Sequence, residues 1–213
     1  MSELLSHAEQ VWVSGGWAMI ALAADGLILF TVGLNLWFYL AARRGRKIGE
    51  RRWRRWLTHP DERRGAVGEL IDFVTGATDL EDLTVRFEEL RTTELAPVAR
   101  DLRFMKRCVS VAPLLGLLGT VTGMLTTFHA LASGAGGERT MDLIASGISE
   151  ALITTETGLV IAIPGLFFQY LLSRQRQQFE VFLARLETVC AQKLYHALRA
   201  RRIAAAAEDR GAA

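Results

Sequence analysis

Formal charge is spread very unevenly along this chain, and that unevenness limits its fold more than any other feature. From Val11 to Ala42 the sole formally charged residue is Asp25, Cys108 to Gly137 carries none, and Leu143 to Ser173 carries only Glu150 and Glu156. About 20 mainly apolar residues at 1.5 Å rise cross a bilayer, so each stretch is long enough for a transmembrane helix. A chain of 213 residues that is 50% apolar and still 23% charged reaches that balance by keeping its charges outside the spans. The pattern predicts an all-α, three-span membrane protein and excludes disorder. Residues 1–10 precede the first span, 11–42 form it, and 43–107 make a helical insert. The second span covers 108–131, a short loop 132–141, the third span 142–173, and a helical tail 174–213.

The basic residues give the orientation. Arg43 to Arg64 holds ten Lys/Arg against three acids, Gly65 to Arg107 holds six more and the tail after Ser173 eight, leaving only Arg139 elsewhere. Basic residues that flank spans stay on the cytoplasmic side. The amino terminus and the 132–141 loop are therefore expected outside, the insert and tail inside. The first apolar run has Glu3 and Glu9 ahead of it instead of a basic region and exceeds a signal-peptide core in length, so it is expected to be retained. The net charge of +2 hides this sidedness and is no argument for nucleic-acid binding. Cys108 and Cys190 fall at or beyond the cytoplasmic boundary, where a disulfide is disfavoured, and no metal-ligand spacing surrounds them.

Outside the spans everything reads as helix. The insert opens with a basic helix bearing Trp53 and Trp56, a composition suited to anionic lipid headgroups, and His59-Pro60 ends it. Thr78-Asp79-Leu80-Glu81 fits a capping box, after which Leu83, Phe87 and Leu90 recur on one face. Thr92 or Thr93 with Pro97 marks a further helix start, leading through Leu95, Val98, Leu102 and Met105 into the second span. Phe179, Leu183, Leu186, Cys190 and Leu194 form an apolar stripe continuing from the third span. The second and third helices are thus expected to be long, to extend into the cytoplasm and to need helical partners there.

The chemistry lies in the spans. Ala112, Gly116, Gly119 and Gly123 give the second span a small face, which lets membrane helices approach closely. Thr120, Thr122, Thr126 and Thr127 share this region and suit either packing or the lining of a pore. The third span places Glu150 and Glu156 and the hydroxyls of Thr154, Thr155 and Thr157 in a run otherwise fit for lipid. A charged group at depth costs at least about 2.5 kcal/mol, so such groups face protein or water. Glu150, Thr154 and Thr157 fall on one stripe, with Ala151, Thr155, Gly158 and Ala162 on the next. Counted from the outer ends, Thr120 and Thr155 both lie about 17 Å deep and can form one polar collar. Asp25 and Glu156, both about 20 Å deep on parallel helices, can meet and share a proton; the other reading makes Asp25 a hydrogen-bonded structural group or places it nearer the surface. His129 stands alone near the outer boundary, and no Ser/His, Glu/His or metal-ligand set is present, so no enzyme activity, cofactor or metal is expected.

The segments Ala112 to Phe128, containing Gly116-Leu117-Leu118-Gly119-Thr120-Val121-Thr122-Gly123-Met124, and Ile148 to Pro164, containing Glu150-Ala151-Leu152 and Gly158-Leu159-Val160-Ile161-Ala162-Ile163-Pro164, resemble the MotA/TolQ/ExbB proton channel family, most closely its ExbB/TolQ branch. The resemblance covers nearly the whole chain and implies a homopentamer in a bacterial inner membrane, with the amino terminus and the 132–141 loop in the periplasm. It implies a pore surrounded by the second and third spans and an ExbD-like or TolR-like single-span partner bearing a membrane Asp, coupled to a TonB-like or TolA-like protein. Thr120 and Thr155 match the family's polar pore positions, and Glu150 its acidic third-span residue. Glu156 departs from the pattern, which usually has a small residue there, and Asp25 is untypical; both add titratable groups that bear on subunit locking or on the choice between proton and sodium.

Overall fold

A computed structural model describes residues 15–42, 50–132 and 138–211. The expected segment 1–10, the start of the first span and most of the 132–141 loop lie outside the described residues. Helix is the only regular structure among the described residues: α1 (Gly16–Ala42), α2 (Glu50–Trp56), a 3-10 turn (Pro60–Glu62), α3 (Gly65–Thr75), α4 (Leu80–Leu90), a π turn (Arg91–Leu95), α5 (Ala96–Ala132) and α6 (Glu138–Gly211). Three helical stretches are long and apolar enough to cross a membrane: Gly16–Ala42, Leu80–Ala132 and Thr140–Ala204. The last two, at 53 and 65 residues, far exceed the about 20 that a bilayer requires. The chain is an all-α, three-span membrane protein.

It divides into two compact units, Met1–Asn35 with Asp101–Leu171, and Leu36–Arg100 with Leu172–Ala213. The second is built as an ordinary helical core. Val67, Leu70, Ile71 and Val74 of α3 and Leu83, Phe87 and Leu90 of α4 close over Phe179, Leu183, Leu186 and Cys190 of α6. Spacings of three and four residues put each set on one helical face, and this core supplies the partner that the α6 stripe needs. Trp53 and Trp56 also belong to it, 4% and 7% exposed, with the Trp53 ring edge-on to Phe182 at 6.0 Å. The expectation that they anchor in lipid headgroups is therefore corrected. Three residues apart, Trp53 and Trp56 share one face of α2, and that face closes on this core.

Two local expectations also need correction. The α4 helix starts at Leu80 as expected, but its cap is Asp79, not Thr78. The Asp79 carboxylate accepts from the Asp82 N–H at 2.7 Å while Asp82 reaches back to the Thr78 N–H at 3.0 Å. The cap is shifted by one residue, because a carboxylate accepts more strongly than a hydroxyl, and the return bond goes to the N–H of the residue before the cap instead of the cap's own. No new helix begins at Thr92 or Thr93. Pro97 has no N–H to offer the Thr93 carbonyl, and the chain stays helical by widening into the π turn, in which the Ala96 N–H donates to the Arg91 carbonyl. Tyr39 donates to Glu94 at 2.6 Å and Arg91 pairs with Glu187 at 2.7 Å, so the turn is held from both sides.

The first unit is held by close approach. A Cβ placed on Gly116 would stand 2.9 Å from the Thr154 carbonyl oxygen, on Gly119 2.2 Å from the Thr154 hydroxyl, on Gly123 2.6 Å from the Gly147 carbonyl and on Gly158 2.8 Å from the Ala112 carbonyl. The α5 and α6 backbones touch along this seam, which contact packing must hold because lipid supplies no hydrophobic drive. α1 joins through Gly26 on Ile161, Gly33 on Met105 and Phe168, and Leu29 on Gly165.

Candidate functional site

The seam fixes where each polar side chain of the spans stands. Gly119 sits on Thr154 and Gly116 on Thr155, so in this antiparallel pair Thr120 stands about one turn along α5 from the level of Thr155. The Thr155 hydroxyl crosses the seam and donates to the Gly116 carbonyl at 3.1 Å. The Thr120 hydroxyl donates to its own helix, to the Leu117 carbonyl at 2.6 Å. Thr120 also borders an open groove of about 310 Å³ lined by Val121, Met124, Leu125 and Phe128. Thr154 is 0% exposed, bonded to the Glu150 and Ala151 carbonyls and covered by Gly119. Its side chain is closed off within the chain and fills the seam. Thr157 is half-buried and donates to the Ile153 carbonyl at 2.8 Å. Among the seam residues, Thr127 takes the packing alternative of its sequence reading, and Gly147 carries no role there. They meet each other, the Thr127 hydroxyl lying 2.6 Å from a Cβ placed on Gly147. A small residue seven before Thr154 on the same face was the available signal.

The carboxylates are separated by environment. Glu150 lies directly against Gly16, the first residue of α1, whose positive φ of 60° and lack of a side chain leave room for it. The first turn of a helix has unpaired N–H groups and a positive dipole end, a setting that favours a carboxylate. Glu156 points away from the seam and is exposed. Asp25 takes a hydrogen bond from Cys108, and its other oxygen is buried with no hydrogen-bonding partner. The expected Asp25–Glu156 encounter is thus replaced by an Asp25–Cys108 contact. The reason is register: with Gly16 on Glu150 and Gly26 on Ile161, Asp25 is level with Val160, about 6 Å beyond Glu156 along the axis. Counting depth from Val11 placed it too high. Both cysteines are free and buried, and among the described residues no group of His, Cys, Asp and Glu is arranged to hold a metal.

The small-residue seam is crossed by one threonine, with a second threonine about one turn along α5 and an acid further along α6. Comparison with known proteins finds the same sequence region elsewhere. The family model described as the MotA/TolQ/ExbB proton channel family matches residues 64–184, more than half of the chain. A biopolymer transport protein ExbB-like 1 of Synechocystis is 42% identical over 106 residues, 49% of this chain and 42% of that protein. The Tol-Pal system protein TolQ of Haemophilus influenzae is 44% identical over 71 residues, 33% and 30% of the two chains. The biopolymer transport protein exbB1 of Vibrio cholerae is 40% identical over 72 residues, 34% and 31%. The matched stretches span less than half the length of these relatives. With its three apolar helices and this match, the chain belongs to the MotA/TolQ/ExbB proton channel family, in its ExbB/TolQ branch.

Proposed function

We propose that this chain is the channel-forming subunit of an ion-driven machine in a bacterial inner membrane, a transport component and not an enzyme. The reading is supported by one observation: the Thr155 hydroxyl crosses the α5/α6 seam to the Gly116 carbonyl, with Thr120 about one turn along α5 and Glu150 further along α6 in the same direction. Several copies, five by family likeness, surround a space lined by these residues. Thr157 lies nearby on α6, half-buried, as a further hydroxyl of that lining, whereas Thr154 supports it from within the seam. A single-span partner of ExbD or TolR type places a membrane Asp in that space, and a TonB-like or TolA-like protein receives the work.

Protons driven inward by the membrane potential, worth about 2.3 kcal/mol per charge per 100 mV, reach the partner's Asp. Charged, that Asp is held by the hydroxyls of Thr120 and Thr155. Neutral, it passes the apolar wall, so each protonation moves the partner against the ring. Family likeness favours the proton over sodium. The test is energised uptake or outer-membrane integrity in cells carrying Thr155→Val or Glu150→Ala. Both variants should abolish the activity while the complex still purifies intact; full activity in both overturns the assignment.

A second reading has its own observation. The hydroxyls of Thr120, Thr154 and Thr157 donate within their own helix, as they would in a non-conducting scaffold. In that case Glu156→Ala or Asp25→Ala dissociates the oligomer, and no proton flux accompanies any partner.

A further inference from the structure

The joint between α4 and α5 carries one residue too many for an α-helix. The buried residues Leu83, Phe87 and Leu90 of α4 recur in steps of four and three, and Leu95, Val98 and Leu102 after them in steps of three and four. Such steps keep each set on one helical face. Between the sets, the step from Leu90 to Leu95 is five, about 140° around an α-helix. Yet Leu95 lies in the same apolar core as Leu83, Phe87 and Leu90. The π turn Arg91–Leu95 reconciles the two, because a turn closed from residue i to i+5 takes up one residue more than an ordinary turn. A step of five also suits one helix ending and another beginning; local hydrogen bonds decide for the wide turn. The Thr92 hydroxyl donates to the Glu88 and Glu89 carbonyls and the Thr93 hydroxyl to the Glu89 carbonyl, where the backbone ladder changes pitch.

An unbroken α-helix through the same residues would continue the α4 stripe into Glu94, Pro97 and Asp101. Two of these are acids, and burying an acid is costly unless it is paired. The shift would not stay local, since α5 is a single helix from Ala96 to Ala132. Further steps of three and four from Leu102 reach Ala112, Gly116, Gly119 and Gly123. One residue out of phase, Val111, Leu115, Leu118 and Thr122 take their places. At Gly116, Gly119 and Gly123 a Cβ alone already comes within 3 Å of α6 atoms, so larger side chains overpack the seam. We propose that the Arg91–Leu95 turn is a positioning element: its one added residue sets the rotational phase of α5, and with it the face on which Gly116, Gly119 and the neighbouring Thr120 stand. A residue can then be removed from the turn without consequence, whereas removing one from the regular helix beyond it is not tolerated. The inference does not depend on the proposed function, which enters only one of the three readouts that test it.

The test uses the full chain with both natural cysteines replaced by serine. One variant deletes Thr92 together with Pro97→Ala, because a proline in the regular helix so formed would oppose the carbonyl four residues before it. Its reference keeps full length and carries Thr92→Ala with Pro97→Ala. A second variant deletes Arg103, exposed in regular helix about two turns on, with Arg103→Ala as reference. The readouts are the midpoint of heat-induced aggregation in detergent, maleimide labelling of single cysteines, and energised activity. The cysteines are placed by Pro97→Cys, at an exposed position, and Val98→Cys, where the side chain is 1% exposed. Deleting Thr92 should leave midpoint and activity as in its reference, with position 97 labelled and 98 protected. Deleting Arg103 should lower the midpoint or leave no folded protein, and abolish activity, while Arg103→Ala does neither. The proposal is overturned if labelling inverts at 97 and 98 after Thr92 is deleted, or if that deletion loses fold or activity as the Arg103 deletion does. An Arg103 deletion as stable and active as its reference overturns it too. An unaltered chain without energised activity counts against the proposed function alone, and midpoint and labelling then decide this inference.

Discussion

Glycine is the residue on which the membrane unit turns, for two different reasons. At Gly119 the reason is space: a methyl group there meets the Thr154 side chain at 2.2 Å with its Cβ at 2.5 Å. Gly119→Ala should cost about 1–3 kcal/mol through overpacking, seen as a lower midpoint of heat-induced aggregation in detergent, and Thr154→Gly in the same chain should recover part of it. An unchanged midpoint would mean the helices do not touch there. At Gly16 the reason is conformation as well. Its φ of 60° disfavours any side chain by about 1–2 kcal/mol, and the added methyl would displace the Glu150 carboxylate. Gly16→Ala should therefore impair energised transport in the same direction as Glu150→Ala while leaving the α5/α6 seam intact. The packing role of Gly116, Gly119, Gly123 and Gly158 was legible from their spacing, since small residues at one face of a membrane helix have few other uses. The partner of Glu150 was not legible. Which backbone faces a carboxylate depends on how far α1 slides along α6, and no local pattern encodes that.

At the scale of the element, helices were easy to read and their joints were not. Periodic apolar stripes announced α4 to α6, because burial of one face is a property of the sequence itself. The one-residue shift of the α4 cap and the π turn before Pro97 arise from competition between near-equivalent hydrogen bonds. Spacing leaves such choices open. Asp79→Ala should lower the stability of the α4 unit by about 1 kcal/mol, measured by thermal unfolding. Asp82 adds a pH dependence. Its hydrogen bond with Arg86, together with the Thr78 N–H, holds its carboxyl below the ordinary value of 3.8. The unfolded chain thus takes up the proton first as pH falls. The contribution is complete above about pH 5 and fades as pH drops through the lowered value, so wild type and Asp82→Asn should differ at neutral pH and converge in acid. In the same core, burial pushes the Cys190 thiol up to about 11. Since the thiolate is the reactive form, alkylation of Cys190 in a Cys108→Ser chain should be slow at neutral pH and accelerate only toward pH 11. Fast labelling at neutral pH would show that α3 and α4 do not cover it.

For the whole molecule the deciding quantity is the placement of charge against the bilayer. The fold class and number of spans follow from it directly, because no other arrangement keeps so long an uncharged run in water at tolerable cost. The same distribution carries the orientation, which helix packing alone leaves open: the seam and the cores are identical whichever side faces the cytoplasm. Ten basic residues between 43 and 64 and eight after 173, against one at Arg139, favour an insert and tail that stay inside, since translocating clustered Lys and Arg beside a span opposes the insertion bias. An alkaline phosphatase inserted in the 132–141 loop should be active, and a green fluorescent protein fused after residue 213 should fluoresce. Neutralising the four basic residues Arg43, Arg44, Arg46 and Lys47 should weaken the bias at the first span, yielding a mixed population by protease accessibility, because six basic residues remain between 51 and 64. The reverse reporter pattern in the unaltered chain would invert the gradient against Thr120, Thr155 and Glu150, and the direction of ion flow proposed for this family member would have to be reversed with it.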